Sequence, residues 1–394
     1  MHTEDRRPVL TVGAKHADFH DPSGDNIAAA LSACTRAGRG TVVLSEGEYP
    51  VEASLRVTSG VTLRGEGKAV VVQRCLGGAP FVSDCGFAHD RVKVADPGKW
   101  CAGWTVALRD DRNAGGYDIN IRQIRDIDGD DLILDEPTTE DYIVERGARI
   151  DHAYPVIQII DADDAHIEGV HVVGDAAGAY VDGCRAGGIY AFGATHLRID
   201  RCVVEGFGGD GISFQNSPGT VVTGCVARKN EGLGLHPGTG SGGCRIEGCT
   251  SEGNRGDGLF VCWRVDHSVF EANLIRENGG HGISVGHKDT DNRFVANRIV
   301  GNKGHGILVR QEAEYNAAHA CVIESNALEG NGGPDVAAIA VLGETHGTRI
   351  TANRITDGRG DKAPGEAIRV GRRAQDTVIE HNSVTGFQRR VRGE

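Results

Sequence analysis

The sequence predicts an all-β fold, a right-handed parallel β-helix, in which each turn of the solenoid is a coil of 23–24 residues. Two independent columns of residues recur at this spacing, and such an internal repeat is the sequence signature of a solenoid. The composition agrees, because the 394-residue chain contains 58 Gly, 39% hydrophobic residues and only 5% aromatic residues. It suits a narrow core of small aliphatic side chains better than one large conventional core.

The first column begins with four asparagines, Asn230, Asn254, Asn278 and Asn302, each 24 residues after the one before. Each opens the pattern Asn-x-Gly-x-Gly, which a Leu or Ile follows directly. Steps of 23 residues extend the pattern backwards, and longer steps, which must hold loop insertions, extend it forwards. Its aliphatic members are Ile189, Ile212, Leu235, Leu259, Ile283, Ile307, Ile339 and Ile368. Stacked coils build a continuous core that no single coil can make alone.

The second column consists of Cys and Asn residues that each follow an aliphatic residue or Phe by three positions. Its members are Cys202, Cys225, Cys249, Asn273, Asn297, Asn326, Asn353 and Asn382. Parallel strands lie about 4.8 Å apart, so identical residues stack and asparagines can form amide ladders. We interpret the three cysteines as an inward packing column rather than a metal or redox site, because buried thiols are usually structural.

The N-terminal part reads differently from the repeats. Residues 26–37 are alanine-rich with helical spacing, and Asp25 is the expected N-cap. This helix would cap the open end of the solenoid. Strand-like segments at 40–44 and 60–67 follow it. We therefore divide the chain into a cap with the first coils (residues 1–87), a β-rich insertion (88–150) and the regular coils (151–394).

The insertion contains the strand-like segments Val92-Lys93-Val94 and Trp104-Thr105-Val106-Ala107-Leu108 and a hairpin-like segment at residues 127–134. It interrupts the coil pattern once. Two interpretations stay open: the insertion walls a cleft on one face of the solenoid, or it is a decoration or an oligomer contact.

Three N-terminal segments resemble the start of the polygalacturonase-like and pectate-lyase-like proteins of the pectin-lyase superfamily. They are Val12-Gly13-Ala14-Lys15, Gly40-Thr41-Val42-Val43-Leu44 and Gly60-Val61-Thr62-Leu63-Arg64-Gly65-Glu66-Gly67. The resemblance implies the parallel β-helix fold and is weak for the reaction. Gly280-His281-Gly282 also resembles a polygalacturonase motif, but that family's other motifs have no match here. Because His305 repeats His281 at the same coil position, we interpret His281 as a turn residue of the repeat.

The formal net charge of −13 disfavours nucleic-acid binding, which needs a basic surface. The N-terminus, Met1 to Arg7, precedes no apolar segment of a signal peptide, and no run is long and apolar enough for a membrane span. We therefore expect a cytoplasmic protein with no membrane partner, whose 11 Cys are mostly free thiols. A homo-oligomer, such as a trimer of parallel solenoids, is possible.

The outward face of the first column carries the candidate site. In a strand alternate residues face opposite ways, so the residues after Leu235, Leu259, Ile283 and Ile307 point outward. Aromatic and histidine side chains collect there beside charged turns, which a merely soluble turn does not require. The alternative is a solvated, charge-rich turn. The expected catalytic residues are Asp289, Asp291, His236, His287, Lys288, Arg310 and Glu312. The expected substrate-binding residues are Trp263, Arg264, Gln215, Phe260 and Tyr190.

Three functions fit this face. The first is a glycoside hydrolase or glycosyl-transfer enzyme acting on an oligo- or polysaccharide, with Asp289 and Asp291 or Glu312 as the carboxyl pair. The second is a uronate-directed lyase or C5-epimerase that uses basic groups such as Lys288 and His236. The third is a non-catalytic carbohydrate-binding or structural β-helix.

No cofactor is expected from the sequence. Ca²⁺ is possible through Asp289 and Asp291, but two carboxylates make a thin site. A metal site of His236, His287 and Asp289 lacks any supporting HxH or HExxH spacing, and no CxxC pair occurs.

Overall fold

The computed structural model describes residues 7–114, 119–175, 183–333, 336–360 and 365–393. Within them, one helix caps a stack of coils whose strands form three long parallel sheets, and a fourth, antiparallel sheet leaves the stack near its N-terminal end. The predicted parallel β-helix is confirmed.

Each coil contributes one short strand to each parallel sheet. Sheet 1 contains Phe19–His20, Val9–Gly13, Gly40–Leu44, Val61–Gly65, His166–Glu168, Arg198–Asp200, Val221–Thr223, Arg245–Glu247, Val269–Glu271, Arg293–Val295, Val322–Glu324, Arg349–Thr351 and Val378–Glu380. Sheet 2 contains Gly47–Val51, Ala69–Gln73, His171–Val173, Val203–Glu205, Val226–Arg228, Thr250–Glu252, Leu274–Arg276, Arg298–Val300, Ala327–Glu329, Arg354–Thr356 and Ser383–Thr385. Sheet 3 contains Leu55–Arg56, Ile157–Ile160, Ile189–Phe192, Ile212–Gln215, Leu235–Pro237, Leu259–Phe260, Ile283–Val285, Ile307–Val309, Ile339–Val341, Glu366–Val370 and Arg389–Gly393.

The core is a column of aliphatic side chains along the solenoid axis. The predicted aliphatic column pairs in register through sheet 3, as in Ile212 with Leu235 and Leu259 with Ile283, and these side chains are buried. In sheet 1 the rings of Phe270 and Phe294 stack 5.1 Å apart. Burying one such side chain contributes about 1.5–3 kcal/mol, and the stack repeats this contribution in every coil.

Asparagine ladders hold the turns between the sheets. Asn254 Nδ2 donates to Asn278 Oδ1 at 2.9 Å, and Asn278 Nδ2 donates to Asn302 Oδ1 at 2.9 Å. A second ladder joins Asn273 to Asn297 at 3.0 Å in the same way. These buried amides satisfy one another and the backbone, which explains why both columns carry Asn at a fixed spacing.

The cysteine column packs inside the solenoid as predicted. Cys202, Cys225 and Cys249 are at most 1% exposed. The backbone N–H of Cys202 donates to Cys225 Sγ, and that of Cys225 donates to Cys249 Sγ, both at 3.4 Å. All cysteines are free thiols.

The capping helix extends over Gly24–Arg36, and the predicted N-cap, Asp25, is wrong. Ser23 is the cap: its backbone is extended (φ −138°, ψ 155°), and its Oγ accepts from the Asn26 N–H at 3.3 Å. Asp25 lies in the first turn, where its charge favours the helix dipole. Ile27 and Leu31 pack on the first coil. No helix in the described part of the chain is long and apolar enough to span a bilayer.

The insertion is an antiparallel sheet that begins at residue 78 and ends at residue 152, ten residues earlier and two later than the sequence indicates. Its strands are Gly78–Pro80, Arg91–Lys93, Thr105–Arg109, Asn120–Asp128, Asp131–Leu134 and Arg149–His152. It has a core of its own, which includes Trp104 and Tyr142. Leu63 pairs directly with Ile167 and Val71 with Val172, so the stack of coils continues across the excursion.

Four short 3-10 helices complete the described elements: Pro97–Lys99, Val144–Arg146, Cys184–Ala186 and Glu314–Asn316.

Candidate functional site

A cleft of about 500 Å³ lies on the outward face of sheet 3. Its floor includes His236 and Phe260 of the predicted outward row, whereas Tyr190 and Ser213, which stack in register in the same row, are buried. Its other groups come from the Gly-x-Gly turns before the strands and from the turns after them. The lining residues are Gly183, Cys184, Arg185, Asp210, Gln215, Glu231, Gly232, Leu233, His236, Thr239, Arg255, Gly256, Asp257, Phe260, Cys262 and Trp263.

One wall of the cleft is a non-repeating segment. The 3-10 helix Cys184–Ala186 packs over the strands Ile189–Phe192 and Ile212–Gln215. It leaves Tyr190 only 8% exposed, so this predicted substrate-binding residue lies beneath the wall. Arg185 Nη2 donates to the carbonyl of Ile119 at 2.7 Å, which ties this wall to the antiparallel excursion. The excursion therefore supports the wall of the cleft but contributes no lining residue within the described residues.

His236 and Asp210 form a hydrogen-bonded pair in the cleft. His236 Nδ1 lies 2.7 Å from Asp210 Oδ2, and Asp210 Oδ1 accepts from the Leu233 N–H at 2.8 Å. The buried Asp210 carboxylate accepts the hydrogen on Nδ1. The neutral ring therefore presents Nε2 to the cleft as an acceptor. The ring meets Phe260 edge to face at 5.3 Å. This arrangement orients a histidine base.

Asp257 is a second carboxyl group of the cleft. It occupies the same Gly-x-Gly position as Asp210, two coils further on. Burial raises the pKa of Asp257 from 3.8 to about 6, against hydrogen bonds from the His281 N–H (2.6 Å) and the Ser284 hydroxyl that favour the charged form. A carboxyl group with such a pKa carries a proton in weakly acidic solution and can donate it.

Arg310 supports the cleft from below. Its Nη1 donates to Ser284 Oγ at 2.8 Å and its Nη2 donates to the Val261 carbonyl at 2.7 Å. The guanidinium carbon lies 4.5 Å from the centre of the Phe260 ring. With only 13% of its side chain exposed, Arg310 positions Ser284 and Phe260 and does not line the cleft itself.

His287 and Glu312 form a separate pair beside Cys262. His287 Nε2 lies 2.9 Å from Glu312 Oε1, and its Nδ1 lies 3.2 Å from Cys262 Sγ. Burial and the charge of Arg310 lower the pKa of His287. The Trp263 ring stacks on the His287 ring at 5.1 Å, as the repeat predicts.

Two consecutive left-handed residues explain this stacking. Trp263 and Arg264 have φ values of 67° and 61°, and His287 and Lys288 repeat them with 53° and 66°. The same strained turn therefore occurs in successive coils, so Trp263 lies over His287 and Arg264 occupies the position equivalent to Lys288. Arg264 and Lys288 point into solvent and form no ion pair among the described residues.

Neither predicted aspartate of the second turn lines the cleft. The side chain of Asp289 is fully buried, and its carboxylate accepts from the N–H groups of Val265 (3.0 Å) and Gly286 (3.2 Å). Burial raises its pKa to about 7. Asp291 is exposed, and its Oδ2 lies 3.7 Å from His267 Nε2. Asp289 therefore accepts hydrogen bonds from backbone N–H groups of its own and the preceding coil, and its Oδ2 lies 3.5 Å from Arg310 Nη2.

The structure therefore divides the predicted residues into three sets. His236, Gln215, Phe260 and Trp263 meet in the cleft, and His287, Glu312 and Arg310 adjoin it. The remaining residues lie elsewhere: Asp289, Asp291, Lys288, Arg264 and Tyr190.

Sequence reasoning missed Asp210 and Asp257. Both stand at the middle position of a Gly-x-Gly turn directly before a sheet 3 strand, the position that His281 and His305 also occupy. That column contains ionisable residues in four of five consecutive coils, and this signal marks the edge of the cleft. Among the described residues, no group of three or more His, Cys, Asp or Glu side chains is placed to hold a metal ion.

Comparisons with known proteins agree with this architecture. The family model described as "right handed beta helix region" matches residues 166–320. A search of curated protein sequences finds no match.

Solved structures share the fold over nearly the whole chain. The A-module of a mannuronan C-5 epimerase from Azotobacter vinelandii matches with a TM-score of 0.61 and 16% identity, covering 93% of this chain and 91% of that one. A glycoside hydrolase matches with a TM-score of 0.51 and 12% identity, covering 96% of both chains. A pectate lyase matches with a TM-score of 0.51 and 13% identity, covering 96% of this chain and 79% of that one. The chain therefore shares the right-handed parallel β-helix fold with these proteins.

Proposed function

We propose that the protein is a carbohydrate-active enzyme that hydrolyses a glycosidic linkage of an oligo- or polysaccharide by acid–base catalysis in this cleft. The observation that carries the proposal is the pairing of a carboxyl group of raised pKa, Asp257, with the oriented His236–Asp210 base in one cleft. A buried carboxyl group that can keep its proton, beside an oriented histidine, is a basis for assigning acid and base.

In this mechanism Asp257 is the general acid. Its proton passes to the glycosidic oxygen as the bond to the anomeric carbon breaks. His236 is the general base: Nε2 takes a proton from the attacking water, and Asp210 stabilises the imidazolium that forms. The two residues lie on adjacent coils, whose backbones are about 4.8 Å apart. Phe260 and Trp263 offer aromatic faces to the sugar rings.

The fold neighbours support a saccharide substrate. Their names include a mannuronan epimerase, a glycoside hydrolase and a pectate lyase. At 12–16% identity these three structures do not define the reaction, so the assignment of acid and base depends on this cleft alone.

A second candidate is β-elimination or C5-epimerisation of a uronate. Arg185 and Arg255 line the same cleft, and a cation beside a uronate carboxylate favours removal of the C5 proton. In that reaction His236 would take the carbon-bound proton instead of a water proton. For elimination, Asp257 would still protonate the leaving oxygen.

Product analysis separates the two reactions. The purified protein is incubated with panels of neutral polysaccharides and polyuronides at pH 5–6, and new reducing ends and ultraviolet absorbance are recorded together. We expect reducing ends without the absorbance of an unsaturated uronate, and loss of the activity in Asp257→Asn. Absorbance that grows in step with the reducing ends would establish elimination, and proton exchange at C5 without cleavage would establish epimerisation.

A further inference from the structure

The cleft contains a reactive group that glycosidic hydrolysis leaves unused, the thiol of Cys262. Its Sγ lies 3.2 Å from His287 Nδ1, and His287 Nε2 lies 2.9 Å from Glu312 Oε1. Because the Glu312 carboxylate accepts the hydrogen on Nε2, Nδ1 is an acceptor, and it faces both the thiol and Arg310 Nη2, which lies 3.3 Å away. Nucleophile, base and orienting carboxylate therefore stand in the order that activates cysteine and serine hydrolases.

Glu312 is itself held in place. Its second oxygen, Oε2, accepts from Asn316 Nδ2 at 2.9 Å. Trp263 covers one face of the His287 ring at 5.1 Å, so the ring is fixed by stacking as well as by hydrogen bonds. Among the described cysteines, Cys262 has a histidine nitrogen at hydrogen-bond distance, and it lines the cleft, whereas the Cys202 column is enclosed in the core.

In the outward column that contains Cys262, the side chains of Gln215 and Arg310 fill the space over the neighbouring positions on either side of the thiol. A glycine precedes Cys262 in the column and another follows it. A Cβ at Gly238 would lie 2.1 Å from Gln215 Oε1, and a Cβ at Gly286 would lie 2.6 Å from Arg310 Nε. The amide of Gln215 and the guanidinium of Arg310 thus lie over the two glycines and flank Cys262. Gln215 lines the cleft and has a second hydrogen on Nε2 beyond the one that it donates to Ser213 Oγ at 3.1 Å, and such a donor can stabilise an oxyanion.

We propose that Cys262, His287 and Glu312 form an acyl-transfer site that hydrolyses carboxylic esters, and that its substrate is an O-acyl group on a saccharide. The saccharide part of this assignment rests on the proposed function, because both sites share the cleft. The ester chemistry rests on the triad.

The reaction balances without a co-reactant other than water. Cys262 Sγ attacks the ester carbonyl while His287 Nδ1 takes the thiol proton, and the C–O bond to the sugar breaks as that proton passes to the departing hydroxyl oxygen. The acyl group is then held as a thioester. Water attacks the thioester with His287 as base, which releases the carboxylic acid and returns the proton to sulfur.

The thiol is neutral at rest. Burial raises the pKa of Cys262 to about 12, and the neighbouring Arg310 opposes this shift. His287 is neutral too, because burial lowers its pKa. The proton therefore moves as the S–C bond forms, as in a serine triad, and no thiolate–imidazolium pair exists beforehand. Slow alkylation by iodoacetamide and faster acylation by an ester are the expected consequence.

A small activated ester tests the site without any saccharide. The full chain is mixed with p-nitrophenyl acetate, nitrophenol release is followed in the first turnover, and the acetylated peptide is identified by mass spectrometry. We expect a stoichiometric burst, with the acetyl group on Cys262. Cys262→Ala should abolish the burst, and Glu312→Gln should lower its rate about 100-fold and change its pH profile. The matched control is Cys101→Ala, which removes an exposed thiol outside the cleft.

Acetylation of Cys101 in place of Cys262, or an unchanged burst in Cys262→Ala, would overturn the proposal. Circular dichroism of each variant shows whether it folds, and peptide mapping of the unmutated protein needs no variant. A normal burst without polysaccharide cleavage would contradict the glycosidase proposal but not the ester site. Polysaccharide cleavage without a burst would contradict only the ester site.

Discussion

Replacing Asp257 with Asn should stabilise the protein while it abolishes cleavage. The wild-type carboxyl group is mostly buried, and burial raises its pKa from 3.8 to about 6. An acid whose pKa is higher in the folded state contributes stability that is present below pH 3.8 and is lost as the pH rises through about 6. The asparagine has no charge to bury, and its Oδ1 can still accept from the His281 N–H.

The size of the effect follows from the shift. A difference of about two pKa units corresponds to about 3 kcal/mol, because one unit is about 1.4 kcal/mol. The part of this free energy that is realised depends on the pH, because it grows between the unfolded-state pKa and the folded-state pKa. Asp257→Asn should gain ~1.5 kcal/mol relative to wild type at pH 5 and ~3 kcal/mol at pH 8.

Urea unfolding of both proteins at pH 5 and pH 8, followed by circular dichroism, measures the change. The difference in unfolding free energy between the variant and wild type is compared at the two pH values, so contributions that do not depend on pH cancel. Asp291→Asn is the matched control, since that carboxylate is exposed on the same side of the solenoid. A stability difference that does not grow between pH 5 and pH 8 would refute the burial of an ionisable Asp257.

Four further results are expected. Glycosidic cleavage should fall as the pH rises through about 6, because Asp257 loses the proton that it donates; a rate that keeps rising to pH 8 would exclude this acid. His236→Ala should lower kcat about 100-fold or more, as steady-state kinetics of the folded variant can show. Trp263→Ala should raise KM more than it lowers kcat, because its ring contacts substrate in ground and transition states alike. Asn278→Ala should cost about 2–4 kcal/mol in urea unfolding, because it leaves buried ladder partners unsatisfied, whereas Asn382→Ala at the half-buried end of a ladder should cost less.

The repeat in the sequence determined the fold and the register of the strands. Side chains at the same position of each coil lie above one another, so a spacing of 23–24 residues in the chain becomes a column in space. The pairing of Ile212 with Leu235, the amide ladder through Asn278 and the stacking of Trp263 on His287 all follow from that spacing. The capping helix was predicted as well, although Ser23 and not Asp25 begins it.

Only the tertiary structure decided which outward residues share the cleft and which of them carry a proton. The wall at Cys184–Ala186 does not belong to the repeat, so no spacing revealed that it covers Tyr190. Asp289 and Asp257 are both aspartates of turns beside sheet 3, yet backbone N–H groups enclose the first while the second opens into the cleft. Periodicity defines the position of a residue along and around the solenoid, whereas burial, and with it the pKa, depends on the depth of each side chain among non-repeating neighbours.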